Sequence, residues 1–159
     1  MTSVRTGRPK RFLVIDDEQP IALLMKEGIT SAGHRCDIAS GENDAWKLLQ
    51  HNTYDYVVAD LRLSGKQDHG LGSRATGVLS TDDAEGAGVR LLREVRLGEF
   101  APRNQGAKTI LLTGNPYVSG KDYRCDLPSG VDLVVAKPLT PNQLLHQALQ
   151  LATPGRSRG

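Results

Sequence analysis

From Phe12 almost to the end of the chain, short β-branched and aliphatic runs alternate with segments of helical period. That alternation is the pattern of a parallel sheet covered by helices on both faces. The expected fold class is therefore α/β, a doubly wound five-stranded parallel sheet. Phe12 to Ile15 is a continuous apolar run suited to a central strand. Pro20 then sits where the first turn of a helix tolerates it, ahead of Ile21, Leu24, Met25 and Ile29, and Gly33 ends that helix. His34 to Ala39 is a poorer strand whose weak apolarity suggests a sheet edge. It leads through Ser40 and Gly41 into a helix carrying Ala45, Trp46, Leu48 and Leu49. Tyr54 to Ala59 is the third strand, and Leu91, Leu92 and Val95 mark the next helix. Thr109 to Leu112 and Val131 to Ala136 supply the fourth and fifth strands. Thr140, Pro141 and Gln143 give the last helix an N-cap, a proline at its first position and a capping-box glutamine.

Two stretches resist this pattern. Residues 64 to 87 mix Gly65, Gly70, Gly72, Gly77 and Gly86 with charges and are long for a connection inside a compact domain. Pro116 to Pro128 occupies the place of the fourth helix, yet it holds Gly120 and has no clean apolar face, so that helix is expected to be short, distorted or frayed. The domain plan is a basic flexible tail over 1–11, one folded domain over 12–151 with a glycine-rich insertion at about 64–87, and a flexible tail over 152–159. With 159 residues, 38% of them hydrophobic, one ordinary core accounts for the chain.

Charge is unevenly spread. The tails hold six of the 20 basic residues, so 14 face all 18 acids in the body, which is acidic by about −4. With 4% aromatic residues the chain has few platforms for stacking bases. No apolar run approaches the roughly 18 residues that span a bilayer, and residues 1 to 10 lack a signal peptide's apolar stretch. A cytoplasmic location is expected, with Cys36 and Cys125 as two reduced thiols.

In a doubly wound sheet the carboxyl ends of the strands share one rim, where ligands bind. Four of the five strands deliver polar groups there: Asp16 and Asp17, Asp60, Thr113 and Gly114, and Lys137 before Pro138. Each has an ordinary explanation alone, as a cap, a turn or a strand stop. Together they specify a site, because carboxylates on neighbouring strands repel by roughly 3 kcal/mol per pair at ~5 Å and an effective dielectric of 20. A hard divalent ion such as Mg²⁺ (or Mn²⁺) offsets that repulsion, and Lys137 adds a second cation. An aspartate between a metal, a lysine and a hydroxyl is suited to accept a phosphoryl group.

At these residues the sequence resembles the receiver domain of two-component response regulators. The resemblance covers about residues 12 to 151 and rests on Val14-Ile15-Asp16-Asp17-Glu18, Val57-Val58-Ala59-Asp60-Leu61, Leu111-Leu112-Thr113-Gly114 and Lys137-Pro138-Leu139. It implies a flavodoxin-like strand order 2-1-3-4-5 and Asp60 as the phosphoacceptor. It also implies a metal site of Asp16, Asp17, Asp60 and the backbone carbonyl of Arg62, with Thr113 as the switch hydroxyl and Lys137 pairing with the phosphoryl group. It further implies a cis bond before Pro138, with Gly114, Arg62 and Asn115 modulating the lifetime of the phosphoryl group.

Three departures stand out. The insertion adds about twenty residues between Asp60 and Ala87-Gly88, enough for a mobile flap carrying His69, Asp82 and Asp83. Val134 stands where the family places a switch aromatic, leaving Tyr117 or Tyr123 as substitutes. The weak fourth helix lies on the face receivers use to dimerise, so a monomer or weak dimer is expected.

Rival phosphate chemistries fit poorly. Gly114 to Lys121 has one residue too many for a P-loop and is followed by Asp122 where Ser or Thr is required. Asp16 is followed two residues later by Glu18 rather than the Asp of a haloacid-dehalogenase-type hydrolase, and carboxylates at the same turn oppose a flavin phosphate. His34, His51, His69 and His146 lack metal-ligand spacing. The reading is a phosphoacceptor signalling protein, not an enzyme beyond self-catalysed phosphotransfer and autodephosphorylation. Its alternative is a receiver-like module that binds a partner without phosphorylation. Expected partners are a sensor histidine kinase or histidine phosphotransfer protein and a downstream protein target. Only Ala152 to Gly159 follow the last helix, so no DNA-binding or enzymatic output domain and no membrane contact are expected.

Overall fold

The computed structural model describes residues 8–61, 86–99, 101–118 and 120–151. Five strands form one parallel sheet: β1 (Arg11–Ile15), β2 (Arg35–Ala39), β3 (Tyr56–Asp60), β4 (Lys108–Thr113) and, after a hairpin described below, β7 (Leu133–Ala136). Their spatial order is β2-β1-β3-β4-β7, the order 2-1-3-4-5 when only the sheet strands are counted. The poorer strand β2 is an edge, as its sequence suggested. Val57 and Val58 of β3 pair with Leu13 and Val14 on one side and Thr109 and Ile110 on the other. The continuous apolar runs are thus the strands covered on both faces.

Alternate residues of each strand feed two cores. On one face Leu13, Ile15, Val57, Ala59 and Leu111 pack with Ala45 and Leu49 of α2 (Glu42–His51) and with Val89, Leu91, Leu92 and Val95 of α3 (Ala87–Leu97). On the other, Phe12, Val14, Tyr56, Val58 and Ile110 pack with Met25 and Ile29 of α1 (Gln19–Ser31) and Leu144, Leu145 and Ala148 of α4 (Pro141–Leu151). The capping box of α4 is present. The Gln143 amide donates to Thr140 Oγ1 at 3.1 Å, and Gln143 Oε1 accepts the Thr140 amide at 2.8 Å. Buried Asn104, after a 3-10 turn over Pro102–Asn104, ties α2 to the sheet: its Nδ2 donates to the carbonyls of Leu49 and Asn52, and its Oδ1 accepts the Tyr54 amide.

The expected fourth helix is corrected. No helix lies between β4 and β7 among the described residues; a two-stranded antiparallel hairpin, β5 (Tyr117–Val118) and β6 (Lys121–Asp122), stands there instead. Gly120, at φ +81°, turns it. The segment then supplies Tyr123, buried with Val131 and Val134 in the core shared by α2 and α3. One aromatic ring from a turn covers strand β7 where a helix was expected.

The predicted N-terminal tail up to Gly7, the predicted C-terminal tail over 152–159, residues 64–85 of the predicted insertion with His69, Asp82 and Asp83, and Arg62 lie outside the described residues. Both cysteines are free, Cys36 buried and Cys125 exposed. Burial pushes the Cys36 thiol up to about 12. None of the described helices is long and apolar enough to cross a membrane.

Candidate functional site

The rim residues converge. Asp16 leaves β1 with its amide donating to the Ala39 carbonyl at 3.0 Å, an extension of the β1–β2 pairing that holds the residue down in the sheet. Its side chain is 1% exposed. Oδ1 accepts the Glu18 amide at 2.9 Å, whereas Oδ2 is buried with no hydrogen-bond partner. Asp60 ends β3, one strand over. Lys137 leaves β7 with its amide on the Thr113 carbonyl at 2.8 Å. Its Nζ reaches back to 3.1 Å from Asp60 Oδ2 and 3.6 Å from Asp16 Oδ2. The Lys137–Pro138 bond is cis, as the resemblance implied.

Asp16, Asp17 and Asp60 each offer an oxygen, and the three lie within 4.8 Å of one another. This donor set, all carboxylate, is what a hard divalent cation takes. Oδ2 of Asp16 is a second mark of fit: buried and without a hydrogen bond, it has only the Lys137 ammonium at 3.6 Å to offset its charge, which leaves coordination capacity for a cation. Burial raises the Asp16 pKa above its ordinary value; the Glu18 amide and the Lys137 charge oppose the shift, while Asp60 and Glu18 add to it. Burial alone would lower Lys137, but the Asp60 carboxylate, by charge and by hydrogen bond, and then Asp16 outweigh it and leave Lys137 raised. The ammonium is therefore held charged between the two acids.

The ordinary explanation of the acid pair, a cap for the following helix, does not hold. The N-cap of α1 is Glu18, with no side-chain cap hydrogen bond.

Thr113 ends β4, 2% exposed. Its hydroxyl closes on its own loop, donating to the Asn115 carbonyl at 2.8 Å and accepting the Asn115 amide at 3.0 Å. Asn115 Oδ1 in turn accepts the Tyr117 amide at 3.0 Å. A Cβ on Gly114 would meet nothing within 4 Å, so space stays open beside Thr113. The two candidate aromatics separate: Tyr123 is buried in the core cluster that also holds Val134, while Tyr117 is exposed, with the Arg124 guanidinium 5.5 Å from its ring centroid. Arg62, the remaining member of the implied metal set, lies outside the described residues.

Sequence reasoning missed the part played by Gly88. Its amide donates to the Leu61 carbonyl at 3.0 Å, and a Cβ there would lie 2.1 Å from the Asp60 carbonyl oxygen. Only a glycine lets α3 sit directly on the backbone that carries Asp60. The signal was present in the glycine itself, after a helix start that needs none.

No family model matches the sequence. Solved structures do share the fold. A CheY-like response regulator receiver domain protein from Methanospirillum hungatei matches with TM-score 0.67 and 22% identity over 95% of this chain and 99% of its own. The response regulator TrrA from Thermotoga maritima, solved in complex with Mg²⁺-BeF, matches with TM-score 0.63 and 28% identity over 89% and 98%. A response regulator from Burkholderia pseudomallei, solved with a phosphorylated aspartic acid, a calcium ion and citrate, matches with TM-score 0.63 and 19% identity over 94% and 75%. The fold is that of the response regulator receiver domain, and it covers most of the chain.

Proposed function

We propose that this receiver accepts a phosphoryl group on Asp60 from the phosphohistidine of a sensor kinase or phosphotransfer protein, in a Mg²⁺-dependent reaction, and signals through protein contacts. The observation that carries the reading is Lys137 Nζ held 3.1 Å from Asp60 Oδ2 and 3.6 Å from Asp16 Oδ2 at one edge of three clustered carboxylates. A structures-level likeness to proteins solved with a phosphorylated aspartate and with Mg²⁺-BeF supports it.

Asp16, Asp17 and Asp60 would hold the ion, which supplies charge neutralisation of the transferring oxygens. An Asp60 carboxylate oxygen attacks phosphorus, the P–N bond to the donor imidazole breaks, and its electron pair leaves with the imidazole. Lys137 is placed to follow the charge from the carboxylate to a phosphoryl oxygen. The open side of Gly114 admits the donor, and later a hydrolytic water.

The product carries about −2 of charge where the carboxylate carried −1, and its three phosphoryl oxygens place that charge beside Thr113. Its hydroxyl can donate to a phosphoryl oxygen only by leaving the Asn115 carbonyl. That exchange loosens the turn holding the Tyr117 amide, and Pro116, whose carbonyl accepts the Tyr123 amide at 2.9 Å, moves with it. The readout in this chain is then the hairpin with buried Tyr123, in place of a fourth helix and an aromatic at Val134. Asn115 and Arg62 stand two residues beyond Thr113 and Asp60 in the sequence, the positions to which the resemblance gives control of the phosphoryl lifetime, so Asn115→Ala and Arg62→Ala should alter the dephosphorylation rate several-fold.

The deciding experiment is intact-protein mass after incubation with acetyl phosphate, with and without Mg²⁺, for wild type and Asp60→Asn. A Mg²⁺-dependent gain of one phosphoryl group that the variant lacks is expected. No gain, together with no binding of beryllofluoride, would replace this reading by a module that works without phosphorylation.

A further inference from the structure

The opposite edge of the sheet, where the strands begin, carries a second concave site. A cavity of about 340 Å³ opens there, walled by Tyr54, Asp55 and Gly106 and flanked by Lys10, Arg103 and Lys108. That volume is within the range of small-ligand sites. Tyr56, also in its wall, starts β3 and Asp60 ends it, so about 13 Å of strand separates this cavity from the acceptor.

Three cations from three segments face it: Lys10 ahead of β1, Arg103 on the 3-10 turn and Lys108 at the start of β4. Lys10 and Lys108 are half-buried, and among the described residues neither makes an ion pair. Arg103 is steadied by donating one Nη1 bond to the His51 carbonyl at 3.2 Å, which leaves its other donors. The one carboxylate in the wall, Asp55, already accepts the Arg11 amide on Oδ2 at 2.8 Å. Gly106 leaves open space where a side chain would stand, giving a ligand access to bare backbone. The net excess of positive charge on a concave, partly desolvated wall suits a multiply charged oxyanion.

We infer that this cavity binds a small phosphate-bearing anion, with Lys10, Lys108 and Arg103 as its ligands. The site is remote from Asp60 and stands without the phosphoacceptor reading. Lys108 begins the strand that ends in Thr113, so an anion here bears on the same element from its far end.

The test is a titration of the ¹⁵N-labelled full chain with inorganic pyrophosphate, against chloride at matched ionic strength, read at backbone amides. Saturable shifts at Tyr54, Gly106 and Lys108 are expected, with a Kd of about 1 mM or tighter. Lys108→Gln and, separately, Lys10→Gln should each weaken binding about tenfold while amide dispersion reports an intact fold, and Asp60→Asn should leave it unchanged. Parallel titration with ADP separates sources: tighter binding marks a nucleotide, equal binding a bare phosphate anion. Absence of saturation, shifts spread equally over Arg35 and Lys121, or unchanged affinity in both Gln variants would overturn the inference.

Discussion

On the β1 and β3 side of the rim, backbone rests on backbone. Asp16 is tied to Ala39, the Leu61 amide donates to the Leu112 carbonyl at 2.8 Å, and Gly88 closes on Asp60 with no room for a methyl group. On the β4 and β7 side the Lys137 amide holds the Thr113 carbonyl, but the turn beyond Thr113 depends on a few local bonds: Thr113 to Asn115, Asn115 to Tyr117, Pro116 to Tyr123. The first half has one arrangement, because close-packed backbone cannot yield by small degrees. The second can exchange one hydrogen-bond partner for another at little net cost, since such swaps are each worth only about 1 kcal/mol. A site of this kind keeps its acids fixed and lets its neighbouring turn respond.

Gly88→Ala should break the rigid half. A Cβ 2.1 Å from a backbone oxygen cannot be absorbed by a side-chain shift, so about 3 kcal/mol or more of stability should be lost in urea denaturation, along with phosphoryl acceptance. Tyr123→Ala should remove the buried aromatic ring that the hairpin segment gives to the core. A loss of about 2 to 3 kcal/mol is expected, since the ring is 7% exposed rather than fully enclosed. The contrast sharpens if this variant still takes up a phosphoryl group and Gly88→Ala does not.

Mg²⁺ at a hundred times its Kd should stabilise the wild type by about 2.7 kcal/mol and Asp16→Asn hardly at all, measured by thermal unfolding. Without divalent ions the order reverses. Folding holds a proton on Asp16 more tightly than the unfolded chain does. Its contribution therefore favours the fold in acid and is lost as pH rises from about 3.8 through its raised folded value. At neutral pH in chelator, Asp16→Asn should melt above wild type, and its stability should lack that component of the pH slope. The smallest effect belongs to Tyr117→Ala, on the exposed arm of the hairpin: within about 0.5 kcal/mol by denaturation, with any larger change confined to partner binding.

Sheet and acids were legible because their signals are local and redundant. Four of the five strands are aliphatic runs, and each site residue ends or follows one of those four, so finding the strand placed Asp16, Asp60, Thr113 and Lys137 at one rim. Strand limits shifted by one or two residues; β3 starts at Tyr56 rather than Tyr54 because the Tyr54 amide is taken by Asn104. The hairpin was not legible, since two-residue strands have no period to detect. Nor was the buried role of Tyr123, which follows from where the turn delivers it. The Arg96, Thr109 and Asp132 network, in which Asp132 accepts the Thr109 amide at 2.9 Å and pairs with Arg96, joins residues 23 and 36 positions apart and carries no sequence pattern.

Beside Asp60, a Cβ on Gly86 would lie 2.6 Å from Leu61 Cδ1, so the chain leaves the sheet and returns to it at neighbouring points. Leu61 and Gly86, 25 positions apart in the sequence, are thus two points that the fold already holds together. Closure entropy grows only as the logarithm of length, about 0.6 kcal/mol for each doubling. Halving the connection between Leu61 and Gly86 should therefore shift the stability of the five-stranded sheet by less than about 1 kcal/mol.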